Sequence, residues 1–191
     1  GELYGGRLNV SAAIFKIKRT GVAAVDNANL GLCTSSLAST DCYRNGGQSQ
    51  SSGFELEASG EVTSGWQLAA GYTNASNRND SGGTISDETP RHLLRASTSY
   101  RLKGDWNAWT IGGGVSAQSS YNYTSGAAFI KESGRAVWDF NASYRINRQW
   151  SAGVRIANLL DRNYYTMNGD TDRGNYYGAP RNVMVTVRGF F

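Results

Sequence analysis

The 191-residue chain carries 19 Lys and Arg against 15 Asp and Glu, a formal net charge of +4, and its charged residues make up only 18%, below the roughly 25% of an ordinary soluble domain. The basic residues are scattered without a Lys/Arg run, which excludes nucleic acid as an expected partner. No stretch approaches the roughly 18 apolar residues that a membrane helix needs, whereas abundant Gly (24), scarce Pro (2) and 11 Tyr favour an all-β chain.

Strict alternation of apolar and polar residues, which puts successive side chains on opposite faces of a strand, recurs along the chain. The first predicted strand sets Leu8, Val10, Ala12 and Ile14 against Arg7, Asn9 and Ser11. The second sets Phe54, Leu56 and Ala58 against Glu55, Glu57 and Ser59, and the third Trp66, Leu68, Ala70 and Tyr72 against Gln67, Gly71 and Thr73. The fourth sets Leu94, Ala96, Thr98, Tyr100 and Leu102 against Arg95, Ser97, Ser99 and Arg101. The fifth sets Trp109, Ile111, Val115 and Ala117 against Thr110, Gly112, Gly114, Ser116 and Gln118. In the sixth, Trp138, Phe140, Ala142, Tyr144 and Ile146 oppose Asp139, Asn141, Ser143 and Arg145. The seventh sets Trp150, Ala152, Val154 and Ile156 against Ser151, Gly153 and Arg155. The last has Val183, Val185, Val187 and Phe191 against Asn182, Thr186 and Arg188.

The connections alternate in length. Tight turns are predicted at Thr63-Ser64-Gly65, Lys103-Gly104-Asp105 and Asn147-Arg148-Gln149. Long polar loops are predicted over roughly Arg19–Gly46, Asn77–Pro90, Tyr121–Gly134 and Asp161–Pro180. An up-and-down order puts all short turns at one end and all long loops at the other, the asymmetry of outer-membrane barrels. The charged face, with Glu55, Glu57, Glu61, Arg95, Arg101, Asp139, Arg145, Arg155 and Arg188, would be costly as a dry core. It is assigned to the lumen, where Arg can pair with the glutamates, and the apolar face is assigned to lipid. The fold class is therefore all-β: antiparallel, up-and-down transmembrane β-barrel strands, about eight here. Whether eight strands close alone or belong to a larger barrel is open. The many lumen-facing Gly and Ser (Gly71, Ser97, Ser99, Gly112, Gly114, Ser116 and Gly153) would fill a narrow barrel poorly, which favours the larger one.

No catalytic set of nucleophile, base and acid is visible, so no enzyme activity is expected. His92, the only histidine, stands at a strand start and reads as a boundary residue. Cys33 and Cys42 lie in a Ser-rich loop, where an oxidising compartment would favour a disulfide; two free thiols are the alternative. Two Cys and one remote His make no metal site. Tyr121, Tyr123, Phe129, Tyr176 and Tyr177, with Arg135 and Arg173, gather in the long loops. They read either as an aromatic wall for a bulky ligand or as an interface girdle.

The stretch NLLDRNYY at 158–165, the stretch NYYGAPRNV at 175–183 and the closing strand to Phe191 resemble the end of TonB-dependent outer-membrane receptors of the ferric-siderophore group. GRLNVSAAIF, GFELEASGEVTSGW and TPRHLL resemble earlier parts of the same family, in order. The resemblance implies a barrel of about 22 strands in the outer membrane of a Gram-negative bacterium. It also implies an N-terminal plug and a segment that engages the TonB energy-transducing complex. Residues 1–191 then form the C-terminal portion of the barrel, with plug and TonB segment expected outside this chain. The partners it implies are a ferric siderophore, TonB, outer-membrane lipid and the barrel assembly machinery. No cofactor is expected, since iron would be carried by the siderophore. Val183, Val185, Val187 and Phe191 resemble the C-terminal signal read by that machinery; Gly189, where an apolar or aromatic residue is expected, departs from it. A complete eight-stranded barrel serving as an anchor or adhesin is the rival reading.

Overall fold

The computed structural model describes residues 1–21, 23–26, 28, 42–79, 89–125, 128–167 and 175–191. Eight long strands run in chain order: β1 (Leu8–Thr20), β2 (Gln48–Thr63), β3 (Trp66–Asn79), β4 (His92–Arg101), β5 (Trp109–Gln118), β6 (Arg135–Arg145), β7 (Trp150–Ala157) and β8 (Asn182–Gly189). Each pairs antiparallel with its predecessor, and a short strand, Glu2–Leu3, pairs outside β1 to complete a nine-stranded sheet.

Cross-strand partners in an antiparallel sheet share a face, so the register decides whether the apolar sets of separate strands meet. They do. Tyr72 pairs with Leu94, Leu94 with Ala117, and Ala96 with Val115; Val115 in turn pairs with Trp138. Phe140 pairs with Ile156, and Ile156 with Val183. The polar sets meet likewise, Glu57 with Gly71, Gly71 with Arg95, and Arg95 with Ser116. Phe15, Ile17, Leu93, Val137 and Met184 are apolar exceptions on the polar face, opposite Gly53, Ser51, Thr73, Ser116 and Arg155.

Neither face covers a core. Among the described residues only Leu8, Cys42 and Asn158 are buried, while Ile14 is 91% exposed and Val185 73%. A soluble β-sandwich would bury such a face against a second sheet. Among the described residues no second layer covers the apolar face of the main sheet.

The sheet is also open among the described residues: β8 pairs with β7 alone, and Glu2–Leu3 with β1 alone. An open edge cannot stand in hydrocarbon, where unpaired backbone N–H and C=O groups have no partner. The wall therefore needs further strands, which sets the closed eight-stranded barrel aside.

Short and long connections sort to opposite ends as expected, with corrections in detail. The predicted tight turn at Lys103-Gly104-Asp105 is a wider link holding a 3-10 turn, Gly104–Trp106, in which Asn107 N–H donates to Gly104 O at 3.1 Å. Gly104 adopts a φ of 61° there. The turn before β7 is fastened by Asn147, whose Oδ1 accepts from the backbone N–H groups of Gln149 and Trp150, each at 2.8 Å. The long loops are not uniformly irregular. Thr20 still pairs with Gln48 in the main sheet. Ala23–Val25 pairs with Tyr43–Asn45, Tyr121–Ser125 with Ala128–Glu132, and Tyr165–Met167 with Tyr176–Tyr177. β1, β2 and β3, at 13, 16 and 14 residues, exceed the roughly 9–11 that a tilted strand needs to cross a bilayer, so they project past it on the loop side.

Candidate functional site

The link between β7 and β8 is built around Asn158. Its φ of 52° is left-handed, a conformation that Asn tolerates better than most residues. Its backbone N–H donates to Asp139 Oδ1 at 3.0 Å. Its Nδ2 donates to Arg162 O at 2.9 Å and Ala179 O at 3.1 Å, and its Oδ1 accepts from Arg162 N at 2.8 Å. One buried amide thus ties the outgoing chain to the returning one. Asp161 repeats the device nearer the surface: Oδ1 accepts from Arg181 N at 2.9 Å, and the two side chains form an ion pair at 3.8 Å. Asp139 is held in turn by Arg155 at 3.3 Å. The stretches NLLDR and APR are therefore two halves of one fastening.

Above it lies Tyr164. Gly178 N–H donates to Tyr164 O at 2.7 Å, and the Tyr164 ring lies so close over Gly178 that a Cβ there would sit 2.1 Å from Cζ. The Arg135 guanidinium caps the same ring, 4.8 Å from its centroid, a cation–π arrangement. Arg135 also stands 3.9 Å from Glu132, with a side chain only 14% exposed. Its Nη1 is buried without a hydrogen-bond partner.

Further out, Tyr165 and Tyr177 pack with ring centroids 4.6 Å apart, and the Tyr165 hydroxyl donates to the Tyr177 hydroxyl at 2.9 Å. Tyr176 and Tyr177 are 61% and 71% exposed. Below them the polar face hollows into a basin of about 840 Å³, lined by Glu57, Arg95, Arg135, Asp139, Asn158 and Tyr164 among others. Its floor is low because Gly71, Ser97, Gly114 and Ser116 occupy it.

The residues predicted for ligand contact do not form one cluster. Tyr177 joins Tyr165, and Arg135 joins Tyr164, but no ring contact, hydrogen bond or ion pair among the described residues links these two groups. Tyr121 is half-buried and pairs with Glu132. Tyr123 pairs with Ile130 and Phe129 with Thr124, so these two are not cross-strand partners. Arg173 and Cys33 lie outside the described residues, and Cys42 is disulfide-bonded.

His92 sits at the loop-side boundary, where its Nδ1 meets the Tyr72 hydroxyl at 2.7 Å and Asn74 Nδ2 at 3.1 Å. The expected pairing of lumenal Glu with Arg on neighbouring strands is absent among the described residues. Arg95 stands two strands from Glu57 with Gly71 between, a gap of roughly 10 Å. Glu57 instead accepts from Ser11 Oγ at 3.3 Å, and Glu61 from Gly65 N–H at 2.7 Å.

Val183, Val185 and Val187 share the apolar face, each at least 60% exposed. Gly189 pairs with Trp150, whose indole lies across it; a Cβ would come within 2.9 Å of that ring. Trp150 then meets Phe191 edge-on, with centroids 5.5 Å apart. The glycine that departs from the expected terminal pattern is the one that makes room for this contact.

An antiparallel wall, apolar on one face and charged on the other, with its long connections at one end, is a segment of an outer-membrane β-barrel. The model of the family "TonB dependent receptor-like, beta-barrel" matches residues 2–159, and the chain belongs to this family, whose members reside in the Gram-negative outer membrane. It is 36% identical over 200 residues to the ferric-pyoverdine M114 receptor PbuA of Pseudomonas sp. (strain M114), covering 100% of this chain. It is 37% identical over 195 residues to the ferripyoverdine receptor of Pseudomonas aeruginosa, covering 98% of this chain. The chain spans 23% of the length of each. Among solved structures, the pyoverdine outer-membrane receptor FpvA of P. aeruginosa PAO1 bound to pyoverdine superposes with a TM-score of 0.87 at 34% identity, over 100% of this chain and 28% of that one. The ferric-catecholate import receptor Fiu of E. coli shares the fold, with a TM-score of 0.82 at 21% identity.

Proposed function

We propose that this chain is the C-terminal wall, and part of the outer mouth, of a TonB-driven receptor that takes up a ferric siderophore of the pyoverdine class. One observation carries the reading: the end-to-end similarity to receptors named for ferric pyoverdine, at 36% and 37% identity. The exposed Tyr176 and the Tyr165–Tyr177 pair support it, because rigid aromatic surface beside polar groups suits a bulky chelate. The iron arrives as cargo inside the siderophore. Plug and TonB-contacting segment belong to the rest of the receptor, lipid covers the apolar face, and the assembly machinery reads the closing strand.

Binding of ferric pyoverdines to the full-length receptor tests this. Tyr177→Ala removes one ring of the stacked pair and its hydroxyl bond, and affinity is expected to fall about tenfold, or about 1.4 kcal/mol. Tyr177→Phe keeps the ring and is expected to retain most of the affinity. A correctly inserted receptor that binds no ferric pyoverdine from a representative panel would overturn the proposal.

A further inference from the structure

The apolar face of β1 changes character beyond Ile14. The next residues on that face are Lys16, Lys18 and Thr20. Register carries the change across the sheet. Lys16 pairs with Ser52, and Ser52 with Ser76; Lys18 pairs with Gln50, and Gln50 with Arg78. The row before them, Ile14, Phe54, Asn74 and His92, closes the apolar band. Phe54 packs there against Tyr72 with centroids 5.7 Å apart, and the Tyr72 hydroxyl meets His92 Nδ1 at 2.7 Å. Aromatic rings with polar tips suit the edge of a hydrocarbon layer.

Lys16, Lys18 and Arg78 are exposed and form no ion pair among the described residues. No Asp or Glu stands on this face beyond the boundary row in β1, β2 or β3. Cations without a counter-charge therefore gather on the outside of the wall, at its loop end. Lys18 and Arg78 stand roughly 10 Å apart across two strand spacings, and Lys16 lies roughly 7 Å nearer the apolar band. Like charges so placed repel one another and are stabilised by an anion between them.

Position decides which anion. These residues share the face opposite the lumen, so a chelate passing through the barrel does not meet them. Lys and Arg stems lie along apolar surface while their heads reach the interface. At that level, just past the hydrocarbon, the anions within reach are the phosphates of lipid heads, which both side chains bind well. The spacing admits a headgroup with more than one phosphate.

We propose that Lys16, Lys18 and Arg78 form a binding site on the outer wall of the barrel for the phosphorylated headgroup of a lipid in the loop-side leaflet. The inference rests on the assignment of the apolar face to lipid and is independent of which chelate is carried.

Native mass spectrometry of the full-length receptor in neutral detergent, offered diphosphoryl lipid A or its dephosphorylated form, tests it. Occupancy by the diphosphoryl form is expected to exceed that by the dephosphorylated form about tenfold, and to fall about tenfold when Lys16→Gln, Lys18→Gln and Arg78→Gln are combined. Lys16→Arg with Lys18→Arg keeps the charge and is expected to retain the parental occupancy. If the neutral combination fails to assemble, Lys18→Gln with Arg78→Gln is read in the same way. Equal occupancy by the two lipids would overturn the site. So would occupancy unchanged by charge removal, or displacement of the lipid by inorganic phosphate at physiological ionic strength. Loss of the unsubstituted receptor from the outer-membrane fraction would instead contradict the barrel assignment.

Discussion

Asn158→Leu is expected to destabilise the folded receptor by about 4 kcal/mol, from three lost side-chain hydrogen bonds at about 1 kcal/mol each and a left-handed backbone that a branched side chain resists by about 1–2 kcal/mol. Asn158 is 3% exposed, so water does not replace the bonds to the carbonyls of Arg162 and Ala179. Two further variants separate the causes. Asn158→Gly keeps the backbone conformation and loses only the side-chain bonds, so it is expected to be milder. Asn158→Asp keeps an acceptor for Arg162 N but loses both donors and sets a carboxylate near Asp139, so it is expected to be at least as damaging as Leu. The temperature at which full-length receptor loses its compact form on unboiled gels reads all three. Equal stability of Asn158→Leu and the parent would contradict the fastening role.

Gly178→Ala is expected to cost about 2–3 kcal/mol, the upper part of the roughly 1–3 kcal/mol typical for forcing an extra methyl into filled space. The new Cβ would sit 2.1–2.5 Å from three atoms of the Tyr164 ring. The ring cannot simply retreat, because the Arg135 guanidinium lies over it and the Tyr164 carbonyl is bonded to Gly178 N–H. Either the hairpin return shifts or the ring swings out and leaves Arg135 uncovered. Combining Gly178→Ala with Tyr164→Ala removes the collision. The double variant is expected to be more stable than the sum of the two single losses implies, by about 1–2 kcal/mol. Strict additivity in the same melting measurement would contradict the ring-over-glycine contact.

The strands were legible in the sequence because a half-exposed sheet writes its two faces as a period of two. Trp138 to Arg145 announces β6 residue by residue, and the register then only has to bring like faces together. What escaped was whatever does not repeat. Asn158, Asp161, Tyr164, Gly178 and Arg181 meet across the β7–β8 link, and no local spacing shows that an amide at 158 bonds a carbonyl at 179. Only the resemblance of the two stretches to a known family marked them, without giving a reason. The left-handed Asn158 and Asp161, at φ 52° and 51°, are the physical signal, since Asn and Asp are the residues that accept such angles. The ribbons inside the long loops were missed for another reason: Tyr165–Met167 and Tyr176–Tyr177 are too short to establish a period. The Glu–Arg pairs expected in the lumen followed from charge alone. Gly71, standing between Glu57 and Arg95, keeps that pair apart.

The proposed receptor wall requires that one face of this sheet meets lipid and the other meets the lumen. Nitroxide labels placed singly at each residue from Trp138 to Arg145 in the full-length receptor, reconstituted in bilayers, test it most directly. Collision with oxygen, which concentrates in hydrocarbon, is predicted to peak at positions 138, 140, 142 and 144 and to fall at 139, 141, 143 and 145. A flat profile, or peaks at the odd positions, would contradict the assignment of the two faces.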